Sequence, residues 1–450
     1  MKITILGAGR KGLRLAKILA TEKNDITIID INEKKTDIAM SRIDCLAYLG
    51  DGISLKDLSE AGIEGSDAFI SVTGNDQINL IASAMAKDEF KIPNTLSIVK
   101  HLSLLGYKKN KEKSLLGINH IVNPNDELAS HIYTEISQGV FKNTISFQNS
   151  KLLLYTITID NDSPYNDMAI KDFQKTFKQN FIIATILRNN TSIVPSGNTK
   201  IKNNDFISIV TKPGDSNKIL STIGIKKSKT KKIVIVGANQ ITEALLYKIS
   251  QKNRSKIIVI DKNPTACNTF SHNFPEILVV NGNITDEEIF KECNLFTSDL
   301  LLSITDKDEL NIIVASYAKQ VGIPYSMALI KSNNNYLRMA KHLNIDDVIS
   351  TQKVAVDSLM RHLHGDNVKN IHSLFDGQMQ AIEYKIPTNC KIIDKKLKDI
   401  NMKNKGIIAG IINENGSTII PDGDYTIKKH DLLIIIVSQK DINSVLGEIQ

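Results

Sequence analysis

The chain has 450 residues, of which 42% are hydrophobic, and a formal net charge of +7, so it is too long for one ordinary core and can bury several. Its apolar runs have only the length of strands, which predicts neither a membrane-spanning helix nor a secretory leader. Without a predicted span or leader, the chain is expected to stay in the cytoplasm. The four cysteines lack the spacing of a disulfide framework or a zinc site and are expected to be reduced thiols.

The first predicted element is a short β-branched strand that runs into the glycine loop GAGRKG and then into a helical stretch. In a dinucleotide-binding turn of this kind the first glycine permits the tight turn, the second lets a pyrophosphate approach, and the third lets the helix pack on the strand. The helix N-terminus stabilises the bound phosphates. The predicted phosphate-binding residues are Gly7, Ala8, Gly9, Arg10, Lys11 and Gly12.

The second predicted strand, DITIID, ends in Asp30, at the distance from the glycine loop where an acidic side chain hydrogen-bonds the ribose hydroxyls of the cofactor. Its charge repels a 2′-phosphate and therefore favours NAD over NADP. Arg10 and Lys11 act in the opposite direction, because both would attract that phosphate. The alternative interpretation is a Rossmann-type turn that holds no ligand.

Three further strands, each followed by a polar or amphipathic stretch, continue the β-α alternation and predict a doubly wound parallel sheet. Polar residues follow these strands at the edge where such a sheet holds its ligand. Individually, each of them is as typical of a turn or a helix cap as of a binding site. The predicted crevice residues are Asp51, Thr73, Asn75, Asp76, Asn79 and Lys100.

The same pattern returns from KIVIVGANQIT onward, and a repeat of this kind predicts a tandem duplication. In the second copy Asn239 and Thr242 replace the second and third glycines, where a Cβ atom crowds a pyrophosphate and separates helix from strand. Two interpretations of the second copy stay open: it binds a second nucleotide, or it is a structural pseudo-site that keeps the fold without a ligand. The corresponding candidate residues are Gly237, Asn239, Asp261, Asn283, Thr305 and Lys331.

A second kind of segment also repeats, since IVPSGNTKIKNNDFISIV matches IIPDGDYTIKKHDLLIII further on. Both copies are β-rich around a turn, which predicts a small α+β lobe after each Rossmann domain. The predicted domains are residues 1–142 (first Rossmann domain), 143–225 (first lobe), 226–370 (second Rossmann domain) and 371–450 (second lobe). A strand and an amphipathic helix end each Rossmann domain, and such a helix either joins subunits into dimers and rings or packs on its own domain.

No catalytic site is predicted, because we find no residue pattern in the two small lobes that would supply a proton donor or base beside a nicotinamide. His362, His364 and Asp366 in RHLHGD are potential metal ligands. The two histidines point to different faces of a helix end, so exposed basic residues are the favoured interpretation and no metal site is predicted. His120 is interpreted as a residue at a helix start, because Asn123 and Pro124 follow it.

The alternation of GAGRKG, Asp30, SVTGNDQIN, IVK and NHIVNP with an IVPSGNTKI lobe, repeated over the whole chain, resembles the tandem RCK (KTN) family, whose members include the TrkA-type regulators of bacterial Trk potassium uptake systems. The resemblance implies a non-enzymatic cytoplasmic subunit that binds NAD or NADH, or in some systems ATP or ADP. It implies a dimer or tetramer ring on the inner face of the plasma membrane, attached to a TrkH-like potassium-translocating subunit, and no nucleic-acid partner.

The resemblance also assigns ligand contacts. It implies that Gly7, Gly9 and Gly12 contact the phosphates, that Asp30 contacts the ribose, and that Asp51 and Thr73 lie near the adenosine. Lys100 and Lys331 depart from the arginine that the family usually has after the fifth strand, which removes a bidentate phosphate contact. Two other functions stay open: a nucleotide-sensing scaffold for another cation transporter or exchanger, and an NAD-dependent oxidoreductase.

Overall fold

A computed structural model describes residues 1–101, 115–138, 144–147, 152–159, 163–222, 232–331, 334–364, 367–400, 402 and 405–449. Within these ranges, no helix combines the length and the apolar character that a membrane crossing requires.

The first sheet is parallel and has six strands in the order β3-β2-β1-β4-β5-β6. The strands are β1 (Lys2–Leu6), β2 (Asp25–Asp30), β3 (Leu46–Leu49), β4 (Ala68–Ser71), β5 (Asn94–Ile98) and β6 (His120–Val122). The helices are α1 (Arg10–Thr21), α2 (Glu33–Arg42), α3 (Leu55–Glu60), α4 (Asp76–Asp88) and α5 (Pro124–Gln138).

Strand order reverses next to β1, which pairs with β2 on one side and with β4 on the other. The central strands are apolar because both faces of a parallel sheet are covered; Ile3, Ile5 and Ile70 have no exposed surface. At such a reversal the loops after the two strands diverge and leave a crevice at their carboxyl ends. The glycine loop after β1 borders this crevice.

The second sheet is antiparallel and has five strands in the order β10-β9-β11-β8-β7. These are β7 (Thr144–Ser146), β8 (Leu153–Thr158), β9 (Phe181–Arg188), β10 (Thr191–Ile193) and β11 (Phe206–Thr211), with helices α6 (Ile170–Lys175) and α7 (Pro213–Thr222). Arg188 and Asp205 form an ion pair with Nη2 and Oδ2 2.7 Å apart, beside the turn that precedes β11.

The third sheet has the strand order β14-β13-β12-β15-β16-β17, which is the topology of the first. Its strands are β12 (Ile233–Val236), β13 (Ile257–Asp261), β14 (Leu278–Asn281), β15 (Leu300–Ser303), β16 (Tyr325–Ile330) and β17 (Asp347–Ser350). The helices are α8 (Gln240–Lys248), α9 (Gln251–Arg254), α10 (Pro264–Asn273), α11 (Glu287–Glu292), α12 (Asp308–Gln320), α13 (Asn334–Lys341) and α14 (Thr351–Leu363).

The fourth sheet is antiparallel, in the order β18-β19-β22-β20-β21. It contains β18 (Val368–Leu374), β19 (Met379–Lys385), β20 (Gly406–Ile412), β21 (Thr418–Ile419) and β22 (Leu432–Ser438), followed by α15 (Ile442–Ile449). The predicted fold class, two doubly wound parallel sheets with two small α+β lobes, is therefore confirmed. The two lobes also share one apolar core, in which Leu152 and Leu154 pack with Ile434 and Ile436.

The chain divides into two compact units that do not follow the order of the sequence. One unit contains Met1–Val122, Thr144–Lys226 and Val356–Gln450, and the other contains Asn123–Asn143 and Lys227–Ala355. Helix α5 therefore belongs to the unit of the third sheet, although it follows the first. The predicted boundaries at residues 142, 225 and 370 stay predictions.

Helix α5 belongs there because of its apolar face. Leu128, Ala129 and Ile132 are at most 1% exposed and pack in one core with Leu245 of α8 and Ile235 of β12. These three residues have the i, i+1, i+4 spacing of one helix face. From the sequence, we considered two roles for this helix: pairing of subunits, or packing on its own Rossmann domain. Packing on another sheet of the same chain was not among them.

The interpretation of His120 as a helix-start residue is wrong, because His120 is the first residue of β6 and pairs in register with Leu96 of β5. The helix begins four residues later at Pro124. Asn123 Oδ1 accepts hydrogen bonds from the amides of Asn125 and Asp126, so the cap signal belongs to Asn123 alone.

We expect Ile132→Ala to lower the free energy of unfolding of the second unit by about 2–5 kcal/mol, because it removes a fully buried branched side chain. Urea denaturation followed by hydrogen exchange at α5 and α8 measures the effect. Tyr133→Ala is the matched control, since Tyr133 on the same helix is 37% exposed. Equal effects of the two substitutions would contradict the assignment of α5 to this core.

Candidate functional site

The three glycines of the first loop differ in what surrounds them. Gly7 has φ +109°, a backbone conformation that favours glycine. A Cβ atom on Gly12 would lie 1.9 Å from the carbonyl oxygen of Gly7, whereas a Cβ atom on Gly9 would meet nothing within 4 Å. Gly7 and Gly12 are therefore required by the protein itself, and Gly9 borders open space.

Helix α1 begins at this open space. Gly9 is its N-cap residue, and no side chain in the described part of the chain caps its first turn. The first amides of a helix have no intrahelical partner and carry partial positive charge. The first turn of α1 therefore presents hydrogen-bond donors to the crevice, as an anion site requires.

Two lysines add positive charge at the same place. Lys11 lies in the first turn of α1, and Lys100 follows β5 across the crevice. Burial and, to a smaller extent, the charge of Lys100 lower the pKa of Lys11 to about 8, although Asp76 acts in the opposite direction. Two cations that repel each other beside uncapped amides favour an anion between them. Arg10, the first residue of α1, is exposed.

Asp30 lies at the end of β2 and is 6% exposed. Its Oδ2 accepts a hydrogen bond from the amide of Ala8 at 2.8 Å, its Oδ1 accepts one from the amide of Asn32 at 3.0 Å, and Lys35 Nζ lies 3.6 Å from Oδ2. Asp30 therefore positions the glycine loop directly. Each carboxylate oxygen can accept a second hydrogen bond, so a ribose contact is compatible with these bonds.

The residues after β4 form one hydrogen-bonded group. Asn75 caps α4, and its Oδ1 accepts hydrogen bonds from two amides of the first turn. Thr73 Oγ1 donates to Asn79 Oδ1 at 2.6 Å, and Asn79 Nδ2 donates to the carbonyl of Ile98 at 2.9 Å. Asn79 has no exposed surface, so it joins the ends of β4 and β5. Asp51, after β3, accepts a hydrogen bond from the amide of Ile53 in its own turn.

Asp76 connects this group to the end of β5, through a residue that the sequence prediction missed. Asp76 Oδ2 accepts hydrogen bonds from the amides of Lys100 and His101, and His101 Nδ1 lies 3.0 Å away. Burial acts to raise the pKa of Asp76, but the hydrogen bonds from His101 and Lys100 outweigh it and lower the pKa. The available signal was the position of His101, directly after Lys100.

The second glycine loop forms its own hydrogen bonds at the corresponding position. Asn239 Oδ1 accepts hydrogen bonds from the amides of Ile241 and Thr242, and its Nδ2 donates to the carbonyl of Ile304 at 2.6 Å. Thr242 Oγ1 donates to the carbonyl of Gly237, where the first loop has the close approach of Gly12. The Asn239 side chain thus accepts hydrogen bonds from the amides whose counterparts in the first loop have no side-chain cap.

The rest of the second site keeps the framework but loses the positive charge. Asp261 accepts a hydrogen bond from the amide of Ala238 at 2.8 Å, as Asp30 does from Ala8. Thr305 binds Asn311 as Thr73 binds Asn79. However, Lys331 Nζ pairs with the carboxylate of Asp306, whose counterpart in the first half is Gly74. The remaining candidate, Asn283, accepts a hydrogen bond from the amide of Thr285 within its own turn.

The interpretation of RHLHGD as exposed basic residues is wrong for both histidines. His362 stacks on His120 with ring centroids 4.4 Å apart, and burial lowers its pKa to about 4. The side chain of His364 is 4% exposed, and its Nε2 lies 3.5 Å from Oε2 of Glu22. His362 is thus half-buried and the side chain of His364 is buried, by packing that their local sequence does not reveal. Asp366 lies outside the described residues.

Two family models match in alternation along the chain. The model described as TrkA-N domain matches residues 3–124 and 233–351, which is more than half of the chain. The chain belongs to the TrkA-N domain family. The model described as TrkA-C domain matches residues 154–224 and 381–449, over the two lobes. The resemblance to tandem RCK proteins is therefore confirmed.

Similar proteins match over almost the full length. Proteins named Trk system potassium uptake protein TrkA are 25% identical over 99% of this chain and 98% of the relative in Azorhizobium caulinodans, and 27% identical over 98% and 96% in Halomonas elongata. Two solved structures share the fold at 15% identity and cover 99% of this chain: the "GsuK RCK domain", with a TM-score of 0.56 over 95% of that chain, and the "GsuK channel bound to NAD", with 0.56 over 78%.

We expect Gly12→Ala to lower the free energy of unfolding by about 1–3 kcal/mol, because the new Cβ atom overpacks the contact with the Gly7 carbonyl. Gly9→Ala is the matched control: Gly9 has φ −73°, which any residue adopts, and we expect a change within about 0.5 kcal/mol. Chemical denaturation of the two variants measures the difference. Similar losses for both would contradict the geometry of the loop.

Proposed function

We propose that this chain is a cytoplasmic nucleotide-sensing regulatory subunit of a potassium uptake transporter, and that it binds NAD or NADH in the crevice of its first Rossmann domain. ATP or ADP is the alternative ligand, because the same phosphate contacts serve both. The observation that carries the proposal is the uncapped N-terminus of α1 beside Lys11 and Lys100. The names of the TrkA relatives and the NAD-bound GsuK channel support it.

The predicted ligand residues divide by position. Gly7, Gly9 and Gly12 with the amides of α1 hold the pyrophosphate, and Lys11 and Lys100 neutralise it. Asp30 binds the adenosine ribose and disfavours a 2′-phosphate. Asp51 and Thr73 lie beside the adenosine.

The second Rossmann domain is proposed to hold no nucleotide. A pyrophosphate there would have to displace the Asn239 side chain from two amides and Asp306 from Lys331. Both replacements leave hydrogen-bonding groups to be satisfied again, which offsets what the phosphate contributes. One nucleotide per chain is therefore the expected stoichiometry.

Helix α1 supplies a mechanical connection between the site and the second lobe. Its N-terminus borders the crevice, and its C-cap residue Glu22 is 3% exposed. Glu22 Oε1 accepts a hydrogen bond from Gln439 Nε2 at 2.6 Å, and the Glu22 carbonyl accepts one from Asn443 Nδ2 at 2.7 Å. A ligand that shifts α1 along its axis acts directly on this contact.

The proposed regulatory step is a change of shape in a ring of these chains. A ligand shifts such an equilibrium only by the difference between its affinities for the two shapes. NADH and NAD, or ATP and ADP, must therefore bind the two shapes unequally. The proposed partner is a TrkH-like membrane subunit on the inner face of the plasma membrane, the proposed assembly is a dimer or tetramer ring, and no reaction is catalysed. A scaffold for another cation transporter has the same site and differs in this partner.

The first test is calorimetric titration of the full-length protein with NADH, NAD, ATP and ADP. We expect one nucleotide per chain and at least a hundredfold weaker binding in Gly9→Asp, because a carboxylate next to the pyrophosphate adds like-charge repulsion of about 3 kcal/mol or more. The substitution is compatible with folding, since a Cβ atom at Gly9 meets no neighbour and Asp is a favourable N-cap.

Gly9→Asn distinguishes two effects that Gly9→Asp combines, added negative charge and capping of the first amides of α1. The neutral asparagine can cap these amides as Asn239 does in the second loop. We expect this neutral variant to lose affinity as well, whereas the control Asn239→Gly should bind like the parent. Two nucleotides per chain, or unchanged affinity in both Gly9 variants, would contradict the site. Potassium uptake by a reconstituted complex that does not respond to nucleotide would contradict the regulatory role while leaving the site intact.

The affinity for NAD is expected to fall about tenfold between pH 7 and pH 9, because the pKa of Lys11 is lowered to about 8 and its charge is lost above that value. The pyrophosphate stays ionised over this range, so the loss of charge on Lys11 weakens the contact. Lys11→Arg keeps its charge above pH 9 and should bind with little pH dependence. Isothermal titration at four pH values distinguishes the two, and parallel pH profiles would refute the role of Lys11.

A further inference from the structure

A second cluster of titratable side chains lies in the other compact unit, where α5 packs on the third sheet. His131 and Glu135 are one helical turn apart on α5, and Asp347 is the first residue of β17. One donor atom from each of the three residues lies within 4.8 Å of the others, and His131 Nε2 lies 3.3 Å from Glu135 Oε1. The nucleotide site does not use any of these residues.

Glu135 is the most buried member of the cluster and is incompletely satisfied. Its side chain is 7% exposed. No donor group of the described residues reaches its Oε2, and the neighbouring Asp347 carboxyl can hydrogen-bond Glu135 only through a proton that the two groups share. Burial and the neighbouring Asp347 carboxylate raise the pKa of Glu135. A buried carboxylate oxygen without a partner is costly, and a second carboxylate beside it increases that cost. The cluster is therefore built around an oxygen atom that a cation would satisfy.

The charged groups around the cluster compensate it only in part. Lys353 acts electrostatically on all three residues. The neighbouring acid Asp346 already has its own partners: it forms an ion pair with Lys319, with Nζ and Oδ2 2.8 Å apart, and accepts a hydrogen bond from the amide of Ser326. One ammonium group thus faces two carboxyl groups.

These three side chains are the donor set of a transition-metal site. A neutral imidazole nitrogen and two carboxylate oxygens are typical ligands of Zn²⁺, Co²⁺ and Mn²⁺. The i, i+4 spacing puts His131 and Glu135 on one face of the helix. The His131 side chain is 34% exposed, so an ion can reach the cluster from solvent and keep a water ligand.

The repeat supplies an internal comparison. Asp347 pairs in register with Met327 as His120 does with Leu96, so Asp347 and His120 are equivalent positions of the two sheets. By the same spacing, Glu135 corresponds to His362. In the first sheet the equivalent pair is the His120–His362 stack, 4.4 Å between centroids. Two stacked rings fill that position without a cation, whereas two carboxylates and an imidazole occupy it here.

We propose that His131, Glu135 and Asp347 bind one divalent transition-metal ion, which joins helix α5 to the first residue of β17. Bound there, the ion replaces the proton that Glu135 and Asp347 share and fastens α5 to the third sheet. This site is independent of the proposed nucleotide site, because the two share no residue.

The test is titration of the chelator-treated full-length protein with Co²⁺, whose visible d–d absorption reports ligation. We expect one saturable Co²⁺ per chain, displaced by Zn²⁺, and a Tm that rises with Zn²⁺. Glu135→Gln keeps the shape of the side chain, and His131→Ser introduces the residue found at the equivalent position of the repeat, Ser358. Each should weaken Co²⁺ binding at least tenfold and abolish the rise in Tm.

Two controls and one further variant make the result decisive. His362→Gln, and His272→Ala at an exposed histidine, should leave Co²⁺ binding unchanged. Lys353→Met removes the competing ammonium group and should strengthen Co²⁺ binding several-fold. Unchanged absorption in both Glu135→Gln and His131→Ser would overturn the proposal. So would a Lys353→Met protein with a lower Tm and no gain in Co²⁺ affinity, because the cluster would then be an ion-pair network.

Discussion

The first Rossmann domain depends on the contact between Gly12 and the carbonyl oxygen of Gly7. A Cβ atom at Gly12 would come within 1.9 Å of that oxygen, so only glycine lets α1 begin this close to β1. The close approach brings the first amides of α1 to the crevice, where open space surrounds Gly9. Asp30 fixes the same loop from β2 through the amide of Ala8, so the position of the donors is determined before any ligand is present.

The second half shows what happens when this constraint is relaxed. Thr242 replaces the packing glycine and hydrogen-bonds the Gly237 carbonyl, and Asn239 caps the helix with its own side chain. Lys331 has a carboxylate partner in Asp306. The Asn239 side chain thus satisfies amides whose counterparts in the first loop are uncapped, and Asp306 neutralises Lys331. The framework of the sheet is retained because Asp261 and Asn311 keep their hydrogen bonds.

The sequence was sufficient for the features that depend on local pattern: alternating apolar strands, the glycine loops and the repeat predicted both parallel sheets and both lobes. It was insufficient where a distant segment decides burial. RHLHGD reads as an exposed helix end, yet His364 packs against Glu22, and α5 packs on a sheet that its position in the chain does not indicate. The burial of Lys11 and its repulsion by Lys100 likewise depend on two strand ends that only the folded sheet brings together.

The duplication offers a physical reason for the proposed division of the chain into a sensing half and a structural half. An anion site needs uncapped amides and positive charge that is partly buried, as that of Lys11 is, and both reduce the stability of the unliganded protein. With two Rossmann domains, one can keep a less stable anion site while the hydrogen-bonding groups of the other are satisfied within the protein. The two ends of helix α1 then have different environments. At its N-terminus, beside Gly9, the first amides have no side-chain cap, whereas at its C-terminus the buried Glu22 accepts hydrogen bonds from Gln439 and Asn443. A helix of 12 residues is about 18 Å long, and a displacement of one end moves the other if the helix moves as one body, so the proposed ligand at the uncapped end would act on the second lobe without touching it.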